Sequence, residues 1–138
     1  MATTRITENF TLEELCHSDT AAARGLKNIP DEDQVDNLKR LAINLLQPVR
    51  DRYGKAMHIN SGFRSPEVNK AVNGSPTSDH MHGKAADVRT DNPRELFDLV
   101  RKSGLSFDQL ILYPSFVHMS FRYNANRNQV LYAKGVHP

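Results

Sequence analysis

The most constraining feature of this sequence is a long stretch with helical periodicity between Asp31 and Gly54. Acidic residues occupy its first turn and basic residues its last turn, in agreement with the helix dipole. Pro48 is expected to bend the helix, and Gly54 is expected to end it. Its apolar residues recur at intervals of three and four positions, on one face: Val35, Leu38, Leu41, Ala42, Leu45 and Val49. The pattern predicts one long amphipathic helix.

Three further helices are predicted from capping signals. Thr11 and Glu14 form a capping-box pattern at the start of FTLEEL. Ser65, followed by a proline, is typical of an N-cap and begins a helix in SPEVNKAV. Asn92, also followed by a proline, begins PRELFDLVRKSG, which Gly104 ends.

Short segments rich in β-forming residues follow the helices. Strands are predicted at MHIN, AADVRT, QLILY and FVHMSFR, with VLYA near the C-terminus as a further strand. Side chains alternate between the two faces of a strand. In FVHMSFR this alternation would turn one set to the core and the other set away from it: Val117, Met119 and Phe121 inward, and His118, Ser120 and Arg122 outward.

These elements predict an α+β fold, a small antiparallel sheet with helices packed mainly on one side. A length of 138 residues suits one domain, 1–138. With 38% hydrophobic and 25% charged residues, the composition is that of a globular protein rather than a disordered or fibrous one. A formal charge of +2 is too small to indicate a dedicated nucleic-acid binder, and no apolar run approaches the ~20 residues that span a bilayer.

The cysteine content and the first residues bear on the cellular compartment. Cys16 is the single cysteine and cannot form an intrachain disulfide, and MATTRITENF lacks the apolar core of a signal peptide. We therefore expect a protein made in the cytoplasm without classical secretion.

Two histidines and an aspartate are candidate metal ligands. His80 and Asp87 lie seven residues apart, and His118 follows in a later strand. Two imidazoles and one carboxylate suit zinc, and three protein ligands leave the open fourth position of a catalytic site. Gly83 would allow the backbone to turn closely around an ion. The alternative is that these are scattered surface residues in a chain with six histidines.

Three segments in chain order resemble the zinc D-Ala-D-Ala carboxypeptidase family, peptidase family M15, in its phage endolysin-like branch. They are SGFRSPEVNKAV, GSPTSDHMHGKAADV and FDQLILYPSFVHMSF, and the opening FTLEELCHSDTAAARGLKNIP is also similar to that branch. The pattern S-G-[FY]-R-S, S-x-H-x-x-G-x-A-x-D and V-H-[IVM]-S is filled by 61–65, by Ser78, His80, Gly83, Ala85 and Asp87, and by 117–120. The resemblance implies a hedgehog/D-Ala-D-Ala-peptidase-like fold.

The resemblance also implies roles for particular residues. It implies that His80, Asp87 and His118 bind Zn²⁺, and that His82, at an unspecified position of the pattern, is not a ligand. The remaining histidines have no counterpart in the pattern and are expected to be ordinary surface or core residues: His17, His58 and His137.

Arg64 and Ser78 are the expected substrate-binding residues. Arg64 could hold a peptide carboxylate through two parallel hydrogen bonds or polarise the scissile carbonyl, with a surface salt bridge as the alternative. Ser78 could hydrogen-bond the substrate or steady the ligand loop, and a simple turn role is equally open.

The chain departs from the family at the position of the general base. The family usually carries Glu or Asp a few residues before the last histidine ligand, and here the preceding residues are YPSFV. Tyr113 and Ser115 are poor bases near neutral pH because their hydroxyls hold the proton too tightly. The nearest carboxylate, Asp108, is the expected base, with pairing at the start of a strand as its alternative, and His82 is the nearest spare imidazole.

The resemblance implies a zinc peptidase, a carboxypeptidase or endopeptidase, acting on stem or cross-link peptides of bacterial peptidoglycan. We expect a monomer without a nucleic-acid partner, released to the cell wall in the manner of a phage lysis enzyme. One alternative is a zinc-containing cell-wall binding module that has lost catalysis. A metal-dependent nuclease is the other, although it leaves Arg64 and His118 unexplained.

Overall fold

A computed structural model describes residues 4–138 of the chain. The helices are α1 (Leu12–Cys16), α2 (Asp19–Arg24), α3 (Glu32–Leu41), α4 (Gln47–Tyr53), α5 (Pro66–Ala71) and α6 (Pro93–Lys102), with a π-helical segment at Ala42–Leu46 and a 3₁₀ turn at Asp79–His82. The strands are β1 (Arg5–Thr7), β2 (Phe10–Thr11), β3 (His58–Ser61), β4 (Ala85–Arg89), β5 (Gln109–Leu112), β6 (Val117–Ser120) and β7 (Gln129–Tyr132).

The main sheet has five strands in the order β3-β4-β6-β5-β7. Its first four strands are antiparallel, as predicted, and β7 pairs parallel to β5 at the edge. Strands β1 and β2 form a separate two-stranded sheet that the sequence patterns did not indicate. The predicted α+β class is confirmed.

The predicted long helix is present but changes its hydrogen-bonding pattern before Pro48. It begins with the capping box of Asp31 and Gln34, passes through the π-helical segment and continues as α4 to Gly54. At the end of that segment the Gln47 N–H, the first of α4, donates to the Ala42 carbonyl, five residues back. A proline ring clashes with the carbonyl four residues earlier in a regular helix, and widening the preceding turn accommodates it.

The sheet separates the apolar core from a polar face. Core-facing strand residues pack against α3, α4 and α6, and they include Ile59, Ala86, Val88, Leu110, Leu112, Val117 and Met119. Phe121 is partly buried against the same core, as predicted for the inward-facing residues of this segment, whereas Ser120, predicted to face away from the core, is also fully buried. The other face of β4, β5 and β6 therefore carries the residues between these positions.

Helix α2 was not predicted, although its signals are local. The Ser18 side chain accepts a hydrogen bond from the Ala21 backbone, and Gly25 ends the helix with a left-handed backbone at φ 65°. Within residues 4–138, none of the helices combines the length and the apolarity that crossing a bilayer requires.

Two substitutions in the π-helical segment test which of its side chains face the core. Leu45 is fully buried, whereas Ile43 is 56% exposed. We expect Leu45→Ala to lower the free energy of unfolding by about 2–5 kcal/mol through lost burial and a cavity. Ile43→Ala should change it by no more than about 0.5 kcal/mol. Urea denaturation measures both, and equal losses would contradict the described packing.

Candidate metal site

Asp87 and His118 face each other across two neighbouring strands. In the register of β4 and β6 they are direct partners, and the Asp87 Oδ1 atom lies 2.8 Å from His118 Nδ1. The adjacent residues Ala86 and Val117 are fully buried in the core. Because side chains alternate along a strand, Asp87 and His118 must both point to the polar face.

His80 reaches the same point from the 3₁₀ turn at Asp79–His82. The Ser78 side chain caps this turn by accepting a hydrogen bond from the His80 backbone N–H at 3.2 Å. From α3, Gln34 and Asn37 donate to backbone carbonyls of the turn at 3.1 and 2.9 Å. The turn is thus fixed by its own cap and by the long helix.

A glycine carbonyl orients the His80 imidazole. His80 Nδ1 lies 2.7 Å from the Gly62 carbonyl oxygen, which can only accept, so Nδ1 carries the proton and Nε2 holds the lone pair. Nε2 lies 3.3 Å from Asp87 Oδ1. Gly62 has to be a glycine because a Cβ there would lie 2.2 Å from the Leu15 carbonyl oxygen. This explains the glycine of the SGFR segment physically.

The three donor atoms are spaced like ligands of one ion. One ligand atom from each of His80, Asp87 and His118 lies within 4.8 Å of the other two. Donors at zinc bond lengths around a tetrahedron are roughly 3.3 Å apart, close to the contacts of 2.8 and 3.3 Å that Asp87 makes. A lone pair on His80 Nε2 facing a carboxylate oxygen also favours a cation between them. The donor set therefore fits zinc.

The Asp87 carboxyl is held in its charged form. Burial by itself raises its pKa, but the close contacts of the carboxylate with the His118 and His80 rings outweigh burial and keep the pKa well below its usual range. An ionised carboxylate is the form that binds a metal.

Arg64 forms the edge of the site. Its guanidinium lies 3.4 Å from Asp87 Oδ2, 3.0 Å from the Ser61 hydroxyl and 3.4 Å from Asn69 Oδ1. Its backbone N–H donates to the His80 carbonyl at 3.0 Å. Burial lowers the pKa of Arg64, and the charge of Asp87 partly offsets that shift. Arg64 is thus fixed against the candidate ligands rather than free on the surface.

The three candidate ligands and Arg64 line one cleft of about 740 Å³. Ile111, Tyr113 and Phe116 form an apolar wall, and the rings of Tyr113 and Phe116 stack with centroids 4.4 Å apart. Burial, with the negative charge of Asp87, raises the pKa of Tyr113, although Arg64 opposes the shift. The phenol therefore stays protonated near neutral pH and can donate a hydrogen bond. Ser78 also lines the cleft.

The geometry argues against Asp108 as the general base. Its side chain is fully buried, and it accepts hydrogen bonds from Arg127 at 2.9 and 2.8 Å and lies 3.3 Å from Arg122 Nε. The hydrogen bonds from Arg127, and then the charge of Arg122, lower the pKa of Asp108 despite burial. A carboxylate held by two arginines is a weakened base, so the pairing alternative describes Asp108 better.

The remaining histidines lie away from the cluster. His82 is exposed, and its backbone carbonyl accepts from Asn37. His17 contacts Asp19 at 2.8 Å on the surface, and the other two are exposed: His58 and His137.

Several residues in the cleft or directly behind it were not assigned a role from the sequence. Asn69 contacts Arg64, and Asp79 forms an ion pair with Arg122 at 3.0 Å. Arg122 could have been found, because it shares the strand face of His118 in the alternation of FVHMSFR. Asn69 and Asp79 lie in segments without a periodic pattern that would orient them.

Fold and site together define a class: an α+β protein in which two histidines and one aspartate that could hold a metal ion line one cleft. The family model described as Peptidase M15 matches residues 8–120, and the chain belongs to this family. Peptidases of this family are generally zinc-dependent. A search of curated proteins found no match.

We expect the purified protein, stripped with a chelator and reloaded, to bind one Zn²⁺ per chain. Removing one of three ligands opens the site, so His80→Ala and His118→Ala should each abolish stoichiometric binding. His82→Ala, two residues from His80 but exposed, is the matched control and should bind like the wild type. Isothermal titration calorimetry measures the stoichiometry, and loss of binding in the control would contradict this ligand set.

The Asp108 cluster predicts a dependence of stability on pH. Since the folded-state pKa of Asp108 is lower than its unfolded value of about 3.9, its stabilisation is present above about pH 4 and is lost as the pH falls through the folded-state pKa. Asp108→Asn should lose about 1–3 kcal/mol at pH 7. Below about pH 4 the difference between variant and wild type should shrink.

Urea denaturation of the metal-free protein across this pH range measures the effect. Asp98→Asn is the control, because Asp98 is half-exposed and lies 3.6 Å from Arg101. A difference between Asp108→Asn and wild type that does not change with pH would contradict the assignment.

Proposed function

We propose that this protein is a zinc-dependent peptidase that cleaves peptide bonds in bacterial peptidoglycan, as a carboxypeptidase or endopeptidase of the endolysin type. One observation carries the proposal: His80, Asp87 and His118 converge beside Arg64 at the base of an open cleft. Three protein ligands are the number that catalytic zinc sites use, with one coordination position left for the reaction. Membership of the Peptidase M15 family supports hydrolysis of a peptide bond.

The chemistry assigned to zinc is activation of water. Held by these three residues, a zinc ion would lower the pKa of water from ~15.7 toward ~7 and would polarise the scissile carbonyl. The Gly62 carbonyl keeps the His80 lone pair directed at Asp87, where a metal ion would bind, and Asp87 would supply the negative charge. These two contacts preorganise the ligand set.

Arg64 and Tyr113 are the groups proposed to hold the substrate. Arg64 is fixed by Ser61, Asn69 and Asp87, so little side-chain entropy is lost when it binds a carbonyl oxygen or a peptide carboxylate. The protonated phenol of Tyr113 can donate a hydrogen bond to a substrate oxygen.

Side chains that line the cleft support the proposed substrate class. Polar side chains on one wall, Ser75 and Thr77, can pair with the amides of an extended peptide, and the wall of Ile111 and Phe116 can contact its apolar side chains. The arginines that line the cleft, Arg64, Arg122 and Arg127, suit the free carboxylates that are common in peptidoglycan peptides. Release to the cell wall in the manner of a phage lysis enzyme is part of the same proposal.

A specific observation favours a second candidate, a zinc-containing cell-wall binding module without catalysis. Among the described residues that line the cleft, the acidic ones are Asp79 and Asp87. Asp79 is ion-paired to Arg122, and Asp87 is a candidate ligand. General acid–base transfer accelerates hydrolysis by about 10²–10⁴-fold, so a cleft without a free carboxylate would be slow.

Digestion of purified peptidoglycan separates the two candidates. We expect the zinc-loaded protein to release peptide fragments that mass spectrometry identifies, and we expect chelation to stop the release. His80→Ala and His118→Ala should reduce the rate by at least about 100-fold, with His82→Ala as the folded control.

Each result has a separate meaning. Fragments released at the wild-type rate by both ligand variants would overturn the peptidase proposal. Zinc uptake and sedimentation with peptidoglycan, without any fragments, would establish the binding module instead.

A further inference from the structure

A chain of alternating charges borders the candidate metal site. It runs from Asp79 to Arg122, Asp108 and Arg127, with closest contacts of 3.0, 3.3 and 2.8 Å. The four charges sum to zero, so each charge in this partly buried group has an opposite neighbour. None of the four belongs to the candidate ligand set.

The chain connects two elements that carry different candidate ligands. Asp79 directly precedes His80 in the 3₁₀ turn, and Arg122 lies four residues after His118, just beyond the end of β6. Arg122 Nη2 and Nε contact both oxygens of Asp79, at 3.0 and 3.3 Å. The ion pair therefore fixes the turn of one histidine against the strand of the other.

The two other candidate ligands need no such link. Asp87 and His118 are cross-strand partners, so the backbone hydrogen bonds of the sheet determine their separation. His80 lies on a single 3₁₀ turn of four residues, and such turns have poorer hydrogen-bond geometry than an α-helix. The position of His80 therefore depends on contacts from outside the turn as well as on its Ser78 cap. These contacts come from α3, from the Gly62 carbonyl and, through Asp79, from Arg122.

Asp108 and Arg127 hold Arg122 in place from the other side. The Asp108 side chain is fully buried, and Arg127 binds it through two side-chain hydrogen bonds and one from its backbone, at 2.9, 2.8 and 3.2 Å. The Arg122 backbone N–H also donates to Asn126 at 2.7 Å. Arg122 is thereby restricted before it contacts Asp79.

We propose that Arg122 is a positioning residue for metal binding, which sets the distance between His80 and His118 through its ion pair with Asp79. Partly buried ion pairs contribute less to stability than their distances suggest, and fixing one geometry is a role that such pairs can serve. Groups that orient metal ligands change metal affinity by about 10–100-fold when removed. The inference rests on the proposed zinc site but not on the proposed substrate.

The test is Zn²⁺ affinity measured by competition with a chromophoric chelator. We expect Arg122→Gln and Asp79→Asn each to weaken binding by about 10-fold or more, and the double variant to be no weaker than the single variants, because the pair acts as a unit. Arg122→Lys, which keeps the charge without the planar fork, should fall between wild type and Arg122→Gln. Arg101→Gln, in an exposed ion pair with Asp98, should bind zinc like the wild type.

A second readout separates positioning from stability. The visible spectrum of the Co²⁺-substituted protein reports ligand geometry, and it should change in Arg122→Gln but not in Arg101→Gln. The thermal midpoint of the chelated protein shows whether each variant is folded. If Arg122→Gln does not fold, the milder Arg122→Lys and Asp79→Asn variants decide the question by the same measurements.

The outcomes distinguish this inference from the proposed function. Wild-type zinc affinity and an unchanged Co²⁺ spectrum in folded Arg122 and Asp79 variants would overturn the inference alone. If the losses of zinc affinity in the two single variants added up in the double variant, the inference would also be overturned, because the two residues would then act independently. Failure of the wild-type protein to bind zinc would instead remove the metal site on which the proposed function depends.

Discussion

The pairing of β4 with β6 is the constraint on which the site depends. It places Asp87 directly opposite His118. Backbone hydrogen bonds set this placement, and they do not involve the two side chains. Ala86 and Val117, the neighbours of this pair, are fully buried. A shift by one residue would turn the ligands into the core and the apolar residues into the cleft. Core packing and ligand placement are therefore consequences of one register.

Hydrogen bonds and ion pairs outside the sheet hold the remaining residues of the site against this pair. The Gly62 carbonyl orients His80, and α3 holds the 3₁₀ turn through Gln34 and Asn37. Arg64, in the loop between β3 and α5, contacts Asp87 at one edge of the site. At another edge Asp79 forms an ion pair with Arg122. A site assembled from a strand pair, a short turn and a loop needs these cross-links, because no single element carries all of its donors.

Much of the fold was accessible from the sequence because its signals are local. Helical periodicity and caps such as Asn92 predicted α3, α4, α5 and α6, and two-residue alternation gave the inward and outward faces of β6. The π-helical segment was not predicted. A helix can accommodate Pro48 by bending its axis or by widening the turn before it, and which of the two occurs depends on the packing around the helix. The parallel pairing of β7 depends on a non-local contact that strand propensity does not encode.

By itself, the sequence determined the types of side chain available for chemistry and, through its spaced motifs, the membership of the Peptidase M15 family. Tertiary structure decided which of these side chains meet. It brought one candidate ligand atom from each of His80, Asp87 and His118 within 4.8 Å of the other two, and it paired Asp108 with Arg127 instead of leaving that carboxylate free in the cleft. The physical reason is that proximity between residues on different secondary-structure elements is set by strand register and packing, which no local pattern specifies.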